Sequence, residues 1–311
     1  MKVLITGATG LVGKEVTRLC RAKGIIVNYL TTSKKKISST TDYKGFYWNP
    51  STGELDDASL EGVDAIIHLA GATIAQRWTS ENKQLIKDSR IKSANMLYDA
   101  LVRFREPASP AGRSGNTSVK HIISASAIGC YPSSSTKLYN EKYPTYATGF
   151  LGEVVQEWEE SIEQFQKLDI ATSLVRTGLI LDKTEGALPK IVKPIQFFAG
   201  APLGDGKQWQ SWIHIEDMAR IYMHILQEQL TGIYNGVAPN PVTNEKLTKV
   251  AAQTIKKPLF LPNVPKGVLK LALGEMAAIV LESQLVSAEK IQKTGFVFNY
   301  PTIEQALENL L

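Results

Sequence analysis

The sequence predicts an α/β protein in which a doubly wound parallel sheet is joined by a smaller lobe at its C-terminal end. Two observations predict this fold. An apolar run at residues 3–5 leads through a glycine-rich turn at residues 6–13 into a helical pattern at residues 14–22. Further apolar runs then alternate with helical patterns along the chain, as they do in proteins with parallel sheets. The length of 311 residues suffices for one such domain and a smaller second unit.

The turn after the first strand has the glycine spacing of a phosphate-binding loop. Gly7 lets the chain turn sharply off the strand, Gly10 lets backbone amides approach a pyrophosphate, and Gly13 lets the helix pack close to the sheet. The N-terminus of the helix adds unpaired N–H groups and the positive end of the helix dipole. This stretch therefore predicts a dinucleotide site on a Rossmann-type sheet, and the alternative is a glycine turn that binds no ligand.

Composition and charge restrict the class of protein. With 43% hydrophobic and 21% charged residues, the chain has the composition of a globular protein. No apolar run reaches the ~18 residues that a membrane-spanning helix requires. Despite a net charge of +5, the only dense basic cluster is residues 34–36, and without interleaved aromatic residues it is more typical of a solvated loop than of a nucleic-acid surface. We therefore expect neither a membrane nor a nucleic acid as a partner.

The N-terminus and the cysteines predict a cytoplasmic protein. Met1 and Lys2 lead directly into the first strand, without the apolar segment and cleavage site of a signal peptide. The two cysteines, Cys20 and Cys130, lie far apart in the sequence, so we expect reduced thiols rather than a disulfide framework. The four histidines are scattered, and no carboxylate–histidine cluster has the spacing of metal ligands, so no metal site is predicted.

The end of the second strand favours NADP over NAD as the cofactor. This strand is predicted at residues 25–30, and proteins that bind NAD usually place an acidic residue just beyond it to hold the ribose 2′-hydroxyl. No acidic residue lies between Gly24 and Thr41. Hydroxyl groups and lysines stand there instead, and they suit a 2′-phosphate, although the alternative is that they only solvate a loop. We assign to the cofactor site Thr31, Thr32, Ser33 and Lys34.

The next two strands are predicted to end on small residues. Residues 63–71 form a buried strand in which Ala70 and Gly71 let a cofactor approach the backbone, and His68 is interpreted as a hydrogen-bonded core histidine rather than a ligand. Residues 119–123 form a further strand that leads into small hydroxyl residues such as Ser124, at the edge where open α/β sheets bind ligands. Around these strands we predict a turn-rich connection at residues 45–57, a helix at 80–104 and a surface loop at 106–118.

The second half of the chain is expected to complete the sheet and to form the smaller lobe. We predict residues 1–180 as the NADP-binding Rossmann domain, its sheet completed by part of residues 205–240, and residues 181–311 as mainly the substrate lobe and a helical C-terminal extension. The predicted elements are helices at 146–168 and 186–198, a strand at 170–176 that continues through 177–181, a helix that begins within 213–217, a strand at 232–237 and a capping turn at Thr243 and Asn244.

These stretches together resemble one atypical branch of the extended short-chain dehydrogenases/reductases. The similarity runs almost end to end and includes TGATGLVG, HLAG, DSRIKSANML, SASAIGCY, LVRTGLIL, GAPLGDGKQWQSWIHIED and ALENLL. The branch consists of NAD(P)-dependent epimerase/dehydratase-like proteins with a distinctive C-terminal extension, usually described as nucleoside-diphosphate-sugar epimerases. The resemblance implies an NADP-binding Rossmann domain, a small substrate lobe, a substrate that is not established, and a monomer or a homodimer as the assembly.

The resemblance also implies which residues contact the cofactor. Where relatives often carry an arginine after the second strand, this chain has Thr32, so Lys34 or Arg90 would have to contact the 2′-phosphate. Together with the positions assigned above, the cofactor contacts are expected at Gly7, Thr9, Gly10, Leu11, Val12, Thr31, Thr32, Ser33, Lys34, Leu69, Ala70, Gly71, Arg90, Ser124 and Leu179.

The catalytic pair of the superfamily is absent from the sequence. Working members use a tyrosine as general acid/base, a lysine four residues later that lowers the tyrosine's pKa, and a serine that orients the substrate oxygen. None of the 11 tyrosines has a lysine at that spacing, and Phe150 and Val154 stand where the pair is expected. Ser126 matches the serine and Tyr131 lies just beyond it, so these two are the candidate catalytic residues. The alternatives are a capping serine and a tyrosine that closes the cofactor pocket.

Two functions agree with these features. The first is an NADP-dependent oxidoreductase or epimerase-like enzyme for an unidentified small molecule, with a nucleotide-linked compound as one candidate and the proton supplied by Tyr131 or a substrate hydroxyl. The second is a sensor or scaffold that binds NADP without chemistry. Substrate contacts are predicted at Arg176, as a clamp for an anionic group, and at Trp209, Trp212 and His214, as the lining of a cleft; the alternatives are an ion pair with a helix acid and plain packing.

Overall fold

The computed structural model of the protein describes residues 1–105 and 118–311. The surface loop predicted at residues 106–118 lies outside the described residues, apart from Ser118. The strands of the described chain are β1 (Lys2–Thr6), β2 (Ile26–Thr31), β3 (Tyr43–Asn49), β4 (Glu54–Leu55), β5 (Ala65–His68), β6 (His121–Ala127), β7 (Leu138–Tyr139), β8 (Ala171–Thr177), β9 (Leu179–Leu181), β10 (Trp209–Gln210), β11 (Trp212–His214), β12 (Gly232–Gly236), β13 (Val242–Thr243) and β14 (Leu285–Val286). The helices are α1 (Leu11–Ala22), α2 (Ser80–Arg105), α3 (Phe150–Glu163), α4 (Leu188–Gln196), α5 (Ile215–Gln227), α6 (Asn244–Thr254), α7 (Lys266–Leu273), α8 (Ala278–Leu281), α9 (Glu289–Lys293) and α10 (Ile303–Leu310).

The central sheet confirms the predicted doubly wound Rossmann fold. Its eight strands within the described residues follow the order β12-β8-β6-β5-β1-β2-β3-β4. Every neighbouring pair is parallel except β3 and β4, which are antiparallel. The chain order reverses between β1 and β5, and ligands of open α/β sheets bind at the carboxyl ends of the strands beside such a reversal.

The sheet is buried on both faces because its strands are apolar on both faces. In β1, Val3 and Ile5 pack in the cluster that includes Val16 of α1 and Met218 of α5. Leu4 points to the opposite face, into the cluster formed with α2 and α3. Side chains of a strand alternate between its two faces, so a continuous apolar run such as that of β1 is typical of a parallel strand covered by helices on both sides.

The turn-rich connection predicted at residues 45–57 was wrong in its first part, because β3 occupies Tyr43–Asn49 and pairs with β2. Gly45, where the predicted connection began, stands inside this strand, and a side chain there would collide with a neighbour. A Cβ atom at Gly45 would lie 2.4 Å from the ring of Tyr29. The Tyr29 ring also stacks on Tyr43, with 4.3 Å between the ring centroids.

The strand predicted through residues 177–181 breaks at Gly178. There the chain leaves the central sheet, and β9 pairs in parallel with β11 instead. A Cβ atom at Gly178 would lie 2.2 Å from the carbonyl oxygen of Ser211, so only glycine permits this crossing of two backbones. Because β11 includes Ile213 and His214, the helix predicted within residues 213–217 begins only at Ile215, with His214 as its N-cap.

The C-terminal segment packs back onto the Rossmann part of the chain. Strand β14 pairs in parallel with β7, which lies in the connection after β6. Next to it, the backbone N–H of Ser134 donates a 2.7 Å hydrogen bond to the carbonyl of Ser283. The extension that follows α7 therefore lies close to the carboxyl end of β6.

Candidate cofactor and substrate site

The glycine turn is built by two close backbone approaches that exclude any side chain. Gly7 has a φ of +71°, and a Cβ atom there would lie 2.9 Å from the backbone carbonyl of Leu69. A Cβ atom at Gly13 would lie 2.1 Å from the carbonyl oxygen of Gly7. Helix α1 begins at Leu11 without a side-chain cap and without an acidic residue in its first turn. The first amides of such a helix have no partner within the helix, so Leu11 and Val12 present N–H groups suited to an anion.

A buried chain of hydrogen bonds holds the strand end that faces this turn. The Thr6 hydroxyl accepts hydrogen bonds of 3.1 Å each from the amides of Leu69 and Ala70, so its proton is donated to Nδ1 of His68, 2.8 Å away. His68 Nε2 is therefore protonated and donates to Ser93, at 3.2 Å. Burial, followed by the charge of Arg90, lowers the pKa of His68 to about 4. His68 is thus a neutral, hydrogen-bonded core residue, as the sequence suggested.

One cavity, here called the β2-side cavity, lies at the carboxyl ends of β1, β2 and β5 and has a volume of about 390 Å³. Lys36 and Lys92 also line it, and sequence reasoning missed both. Lys34 does not, because its ammonium lies over the ring of Tyr47, 4.8 Å from the centroid. Of the residues predicted to contact the cofactor, this cavity brings together Gly7, Thr9, Thr31, Thr32, Ser33, Ala70 and Gly71.

The charges at the β2-side cavity favour an anion. Asp88 is the acidic residue in its lining, but its carboxylate accepts hydrogen bonds of 2.8 Å each from Lys92 and Gln84. The hydrogen bond from Lys92 is the main reason that the pKa of Asp88 is lowered. Lys36 has no ion-pair partner among the described residues, so its positive charge remains available to a ligand.

A second cavity, here called the β6-side cavity, lies at the carboxyl ends of β6 and β8 and has a volume of about 190 Å³. Three of the predicted site residues line it: Arg90, Leu179 and Trp209. The C-terminal extension contributes Glu282, which sequence reasoning did not assign. The remaining lining is Ile74, Ala127, Ile128, Gly129, Leu151, Val154, Val155, Trp158, Thr177, Gly178, Gln210, Ser211, Ala278, Ile279 and Gln284.

Helix α3 presents only apolar groups and one indole to the β6-side cavity. Phe150, assigned from the sequence to the tyrosine position, packs edge-on against Trp78 at 5.0 Å instead of lining the cavity. Leu151 and Val155 do line it, and they too are four residues apart. Whichever pair occupies the tyrosine and lysine positions, this helix offers no acid or base to the cavity.

The two predicted catalytic residues lie in a buried network around Glu159 rather than at either cavity. Ser126 donates a 2.5 Å hydrogen bond to Glu159, and the Tyr131 hydroxyl donates a 2.8 Å hydrogen bond to Asn235. Ser126 is 2% exposed and Tyr131 is 1% exposed. Burial is the main reason that the pKa of Tyr131 is raised, which disfavours its loss of a proton. The catalytic assignment of Ser126 and Tyr131 therefore has no support in this geometry, because both side chains are buried and line neither cavity.

The same network contains Arg176. Its guanidinium forms a bidentate pair with Glu159, with Nε at 2.9 Å from Oε1 and NH2 at 2.8 Å from Oε2. The hydroxyl of Tyr146 donates to the same carboxylate at 2.6 Å. Burial opposes the charge of Arg176, but the hydrogen bonds to Glu159 and the interactions with neighbouring ionisable groups, Glu159 included, together outweigh it and raise the pKa of the guanidinium. Arg176 is therefore paired with a helix acid and is not free to clamp a substrate.

Three further predicted residues lie away from both cavities. Trp212 is fully buried, and its indole N–H donates to the carbonyl of Asn240 at 3.0 Å. His214 caps α5 by accepting a hydrogen bond from the amide of Glu216. Ser124 is fully buried and donates to the carbonyl of Ala125. These side chains pack and cap the fold, which was the alternative interpretation of Trp212 and His214.

Replacing the Tyr131 hydroxyl tests this structural interpretation. Tyr131→Phe is expected to lower the free energy of unfolding by about 1–3 kcal/mol, because the Tyr131 hydroxyl accepts a 3.0 Å hydrogen bond from Arg176 and donates one to Asn235, and both groups lose a buried partner. Urea denaturation of the variant measures the change. Tyr47→Phe is the matched control, since its hydroxyl has no hydrogen-bond partner among the described residues, and it should leave stability unchanged. Equal stability of both variants and the unmodified protein would show that the Tyr131 hydroxyl has no structural role.

Within residues 1–105 and 118–311, two other kinds of site are not found. No group of three or more histidine, cysteine, aspartate or glutamate side chains is arranged to hold a metal ion. No helix of this part of the chain combines the length and the apolar character needed to cross a membrane.

The doubly wound sheet, the glycine turn and the two flanking cavities define a dinucleotide-binding protein of the Rossmann class. Comparison with known proteins identifies the family. The profile of the NAD dependent epimerase/dehydratase family matches residues 3–151, and that of a domain of unknown function (DUF1731) matches residues 264–310. An Arabidopsis thaliana protein, described as a chloroplastic homolog of epimerase family protein SDR39U1, is 34% identical over 313 residues, covering 100% of this chain and 87% of that protein. This chain belongs to the NAD-dependent epimerase/dehydratase family, as its resemblance predicted.

The solved structures of two relatives match this chain over its whole length. The crystal structure of human epimerase family protein SDR39U1 (isoform 2) with NADPH has a TM-score of 0.83 and 26% identity, covering 100% of this chain and 99% of that chain. A nucleoside-diphosphate sugar epimerase from Corynebacterium glutamicum has a TM-score of 0.75 and 26% identity, covering 100% of this chain and 58% of that chain. NADP, the cofactor predicted from the sequence, is thus the cofactor present in the human relative's structure, in its reduced form.

Proposed function

We propose that this chain binds NADP(H) across the glycine turn and uses it in the oxidation or reduction of a small molecule held in the β6-side cavity. The observation that carries the proposal is the pair of cavities at the carboxyl ends of the strands, one that includes Gly7 and Thr9 of the glycine turn and one at the ends of β6 and β8. Bound NADPH would supply a hydride; the chain's own residues bind the cofactor, orient it and shape the space for the substrate.

The glycine turn fits the pyrophosphate of such a cofactor. The close approaches at Gly7 and Gly13 leave backbone where side chains would otherwise stand, and the first turn of α1 offers N–H groups. Arg90 adds a positive charge beside Gly71, where a Cβ atom would lie 3.3 Å from the guanidinium carbon. That guanidinium donates to the carbonyls of Ala72 and Ile86 and forms no ion pair within the described residues, so its charge is available to an anionic ligand.

The β2-side cavity fits a ribose that carries a 2′-phosphate. Thr31, Thr32 and Ser33 lie at the end of β2, and Lys36 lies on the turn that follows. The only acidic group in that lining, Asp88, is already neutralised by Lys92. A phosphate is a stronger ligand for such a site than a hydroxyl, so the site should prefer NADPH to NADH. The NADPH in the structure of the human relative supports the same choice.

The volume of the β6-side cavity limits how much of a substrate can enter it. Its volume of about 190 Å³ is below the roughly 300–1,000 Å³ of sites that enclose drug-sized ligands. We therefore propose that only the reacting end of the substrate enters this cavity. A nucleotide-linked compound is still a candidate substrate if its nucleotide lies outside the β6-side cavity.

A second candidate function is a sensor or scaffold that binds NADP(H) without chemistry. The part of α3 that lines the cavity, with Leu151 and Val155, favours it because α3 contributes no acid or base to that lining. Turnover of any substrate by the purified protein would exclude this second function. Binding of NADPH with no turnover of an extensive substrate library would favour it.

The cofactor proposal is tested by titrating the protein with NADPH and NADH and following the fluorescence of the nicotinamide. Lys36→Ala is expected to weaken NADPH binding about tenfold, or about 1.4 kcal/mol, because a charge-assisted contact to the 2′-phosphate is lost. NADH binding should not change. Lys35→Ala is the matched control, because Lys35 is on the same turn but does not line the cavity.

Two outcomes would contradict this proposal. If the unmodified protein binds NADH as tightly as NADPH, the β2-side cavity does not hold a 2′-phosphate. If it binds neither dinucleotide, the glycine turn is not a cofactor site.

A further inference from the structure

The β6-side cavity contains one carboxyl group to which the comparisons with known proteins assign no role. Among the residues that line this cavity, the charged ones are Arg90 and Glu282. Arginine stays protonated at neutral pH and does not exchange a proton with a substrate. Glu282 is therefore the one ionisable group of this lining that can both donate and accept a proton under ordinary conditions.

The hydroxyl groups of the lining and the side-chain amide of Gln284 are already engaged. Ser211 donates to the carbonyl of Gln284 at 2.8 Å and accepts from the amide of Val286 at 3.0 Å. The side-chain amide of Gln284 donates to the carbonyl of Tyr131, and the Thr177 hydroxyl donates to a backbone carbonyl of its own strand. These contacts hold the wall of the cavity and leave proton transfer to the carboxyl.

The backbone beside Glu282 is anchored on both sides of the cavity. The amide of Ser283 donates to the Ser133 hydroxyl at 3.0 Å, and the Ser283 hydroxyl donates to the carbonyl of Ser134 at 2.9 Å. The amide of Trp209 donates to the same Ser283 hydroxyl at 3.1 Å. A side chain on a segment fixed by several hydrogen bonds is held in position for chemistry, whereas one on a free loop is not.

The surroundings of Glu282 also distinguish it from a structural carboxylate. The buried carboxylate of Glu159, which holds the fold together, is paired with the guanidinium of Arg176. The side chain of Glu282 has no ion pair within the described residues, and its one hydrogen-bond contact there is a long one, 3.5 Å from Gln284. Burial raises the pKa of the Glu282 carboxyl, which brings its titration closer to neutral pH.

We propose that Glu282 is the general acid and base of this protein, in place of the absent tyrosine and lysine, and that it acts on the carbonyl group of the substrate or on the corresponding alcohol. This proposal rests on the proposed function. It also gives a role to the C-terminal extension at residues 264–310, which supplies the carboxyl.

In the reducing direction, the substrate carbonyl receives a hydride from the cofactor and a proton from Glu282. The substrate carbon gains a hydride from NADPH, the carbon–oxygen π bond breaks, and its electron pair takes the proton of the Glu282 carboxyl. The products are an alcohol, a Glu282 carboxylate and NADP⁺, so the substrate is reduced and the cofactor oxidised. Solvent returns the proton to Glu282 afterwards, and the oxidising direction reverses each step.

The test measures the binding of NADP⁺ and NADPH, because a binding measurement requires no knowledge of the substrate. The nicotinamide ring is positively charged in NADP⁺ and neutral in NADPH. As the pH rises and Glu282 loses its proton, the carboxylate should tighten the binding of NADP⁺ relative to that of NADPH. The 2′-phosphate titrates in both ligands, so its contribution cancels from the ratio of dissociation constants. Burial lowers the pKa of Arg90, the other charged group of the lining, to about 10, so Arg90 keeps its charge at acidic and neutral pH, where the ratio is measured.

We expect the ratio of the two dissociation constants to change with pH by roughly three- to tenfold in the unmodified protein, the size of up to one pKa unit of coupling. In Glu282→Gln the ratio should be independent of pH. Glu275→Gln is the matched control and should behave like the unmodified protein, because Glu275 lies in the same extension but is exposed, pairs with Lys83 and does not line the cavity.

The outcomes separate this proposal from the one on which it rests. If the unmodified protein binds neither dinucleotide, the proposed function fails. If it binds both and Glu282→Gln keeps the pH dependence, the assignment of Glu282 is overturned.

A panel of small aldehydes, ketones and diketones tests the substrate class with NADPH as the reductant. Glu282→Gln should lower kcat about 100-fold, with little change in KM, and Glu275→Gln should change neither. Equal kcat in Glu282→Gln and the unmodified protein would overturn the catalytic role. No turnover of any member by the unmodified protein would overturn the carbonyl class.

Discussion

Arg176→Met is expected to lower the free energy of unfolding by about 3–5 kcal/mol, because it leaves the buried carboxylate of Glu159 without its cation. The two side chains are only 5% and 1% exposed, so water cannot replace the lost partner. Methionine is long and unbranched, so the change removes the charge while filling much of the same space. Urea denaturation, followed by circular dichroism, measures the loss.

Two comparison variants show whether the loss comes from the unpaired charge. Arg176→Met combined with Glu159→Gln should be more stable than Arg176→Met alone, because replacing both members of a buried pair costs less than removing one. Lys246→Met breaks an ion pair with Glu304 whose members are 53% and 47% exposed, and it should cost at most about 1 kcal/mol. If Arg176→Met costs no more than Lys246→Met, the network around Glu159 is not what holds β8 against α3.

The features that the sequence predicted well are those formed by residues close together in the chain. The strand, turn and helix at residues 2–22 depend on contacts between neighbours, and the structure forms them as expected. The alternation of apolar runs identified the sheet because a parallel strand must be apolar on both faces. Gly45 shows the limit, since its neighbour Tyr29 comes from another strand, and a glycine that makes room looks the same in sequence as a glycine that turns.

The side-chain partners could not be predicted because they come from distant parts of the chain. Glu159 is an acid on the apolar face of α3, beside Val155 and Trp158. A charged residue among apolar ones was the sequence feature that indicated a buried cation opposite it. Whether Lys34 or Lys36 lines the β2-side cavity depends on the direction of the single turn after β2. Glu282 reaches the β6-side cavity only because β14 packs on β7.

Gly13→Ala is expected to weaken NADPH binding at least about 100-fold, or about 2.8 kcal/mol. The added Cβ atom would lie 2.1 Å from the carbonyl oxygen of Gly7. Because that atom belongs to the backbone, relief of the clash must move either the turn or the first residues of α1. Both movements displace the N–H groups that we propose hold the pyrophosphate. Fluorescence titration with NADPH measures the loss, and circular dichroism shows whether the variant is folded.

Gly267→Ala separates this effect from the general consequences of adding a methyl group to a helix. Gly267 also lies in a helix, α7, but a Cβ atom there would meet nothing within 4 Å. Alanine is favoured over glycine in helices by about 1 kcal/mol, so this variant should be at least as stable as the unmodified protein and should bind NADPH equally well. If Gly13→Ala is folded and binds NADPH like Gly267→Ala, the turn does not hold the pyrophosphate. The cofactor would then have to bind elsewhere on the sheet, and the assignment of both cavities would change with it.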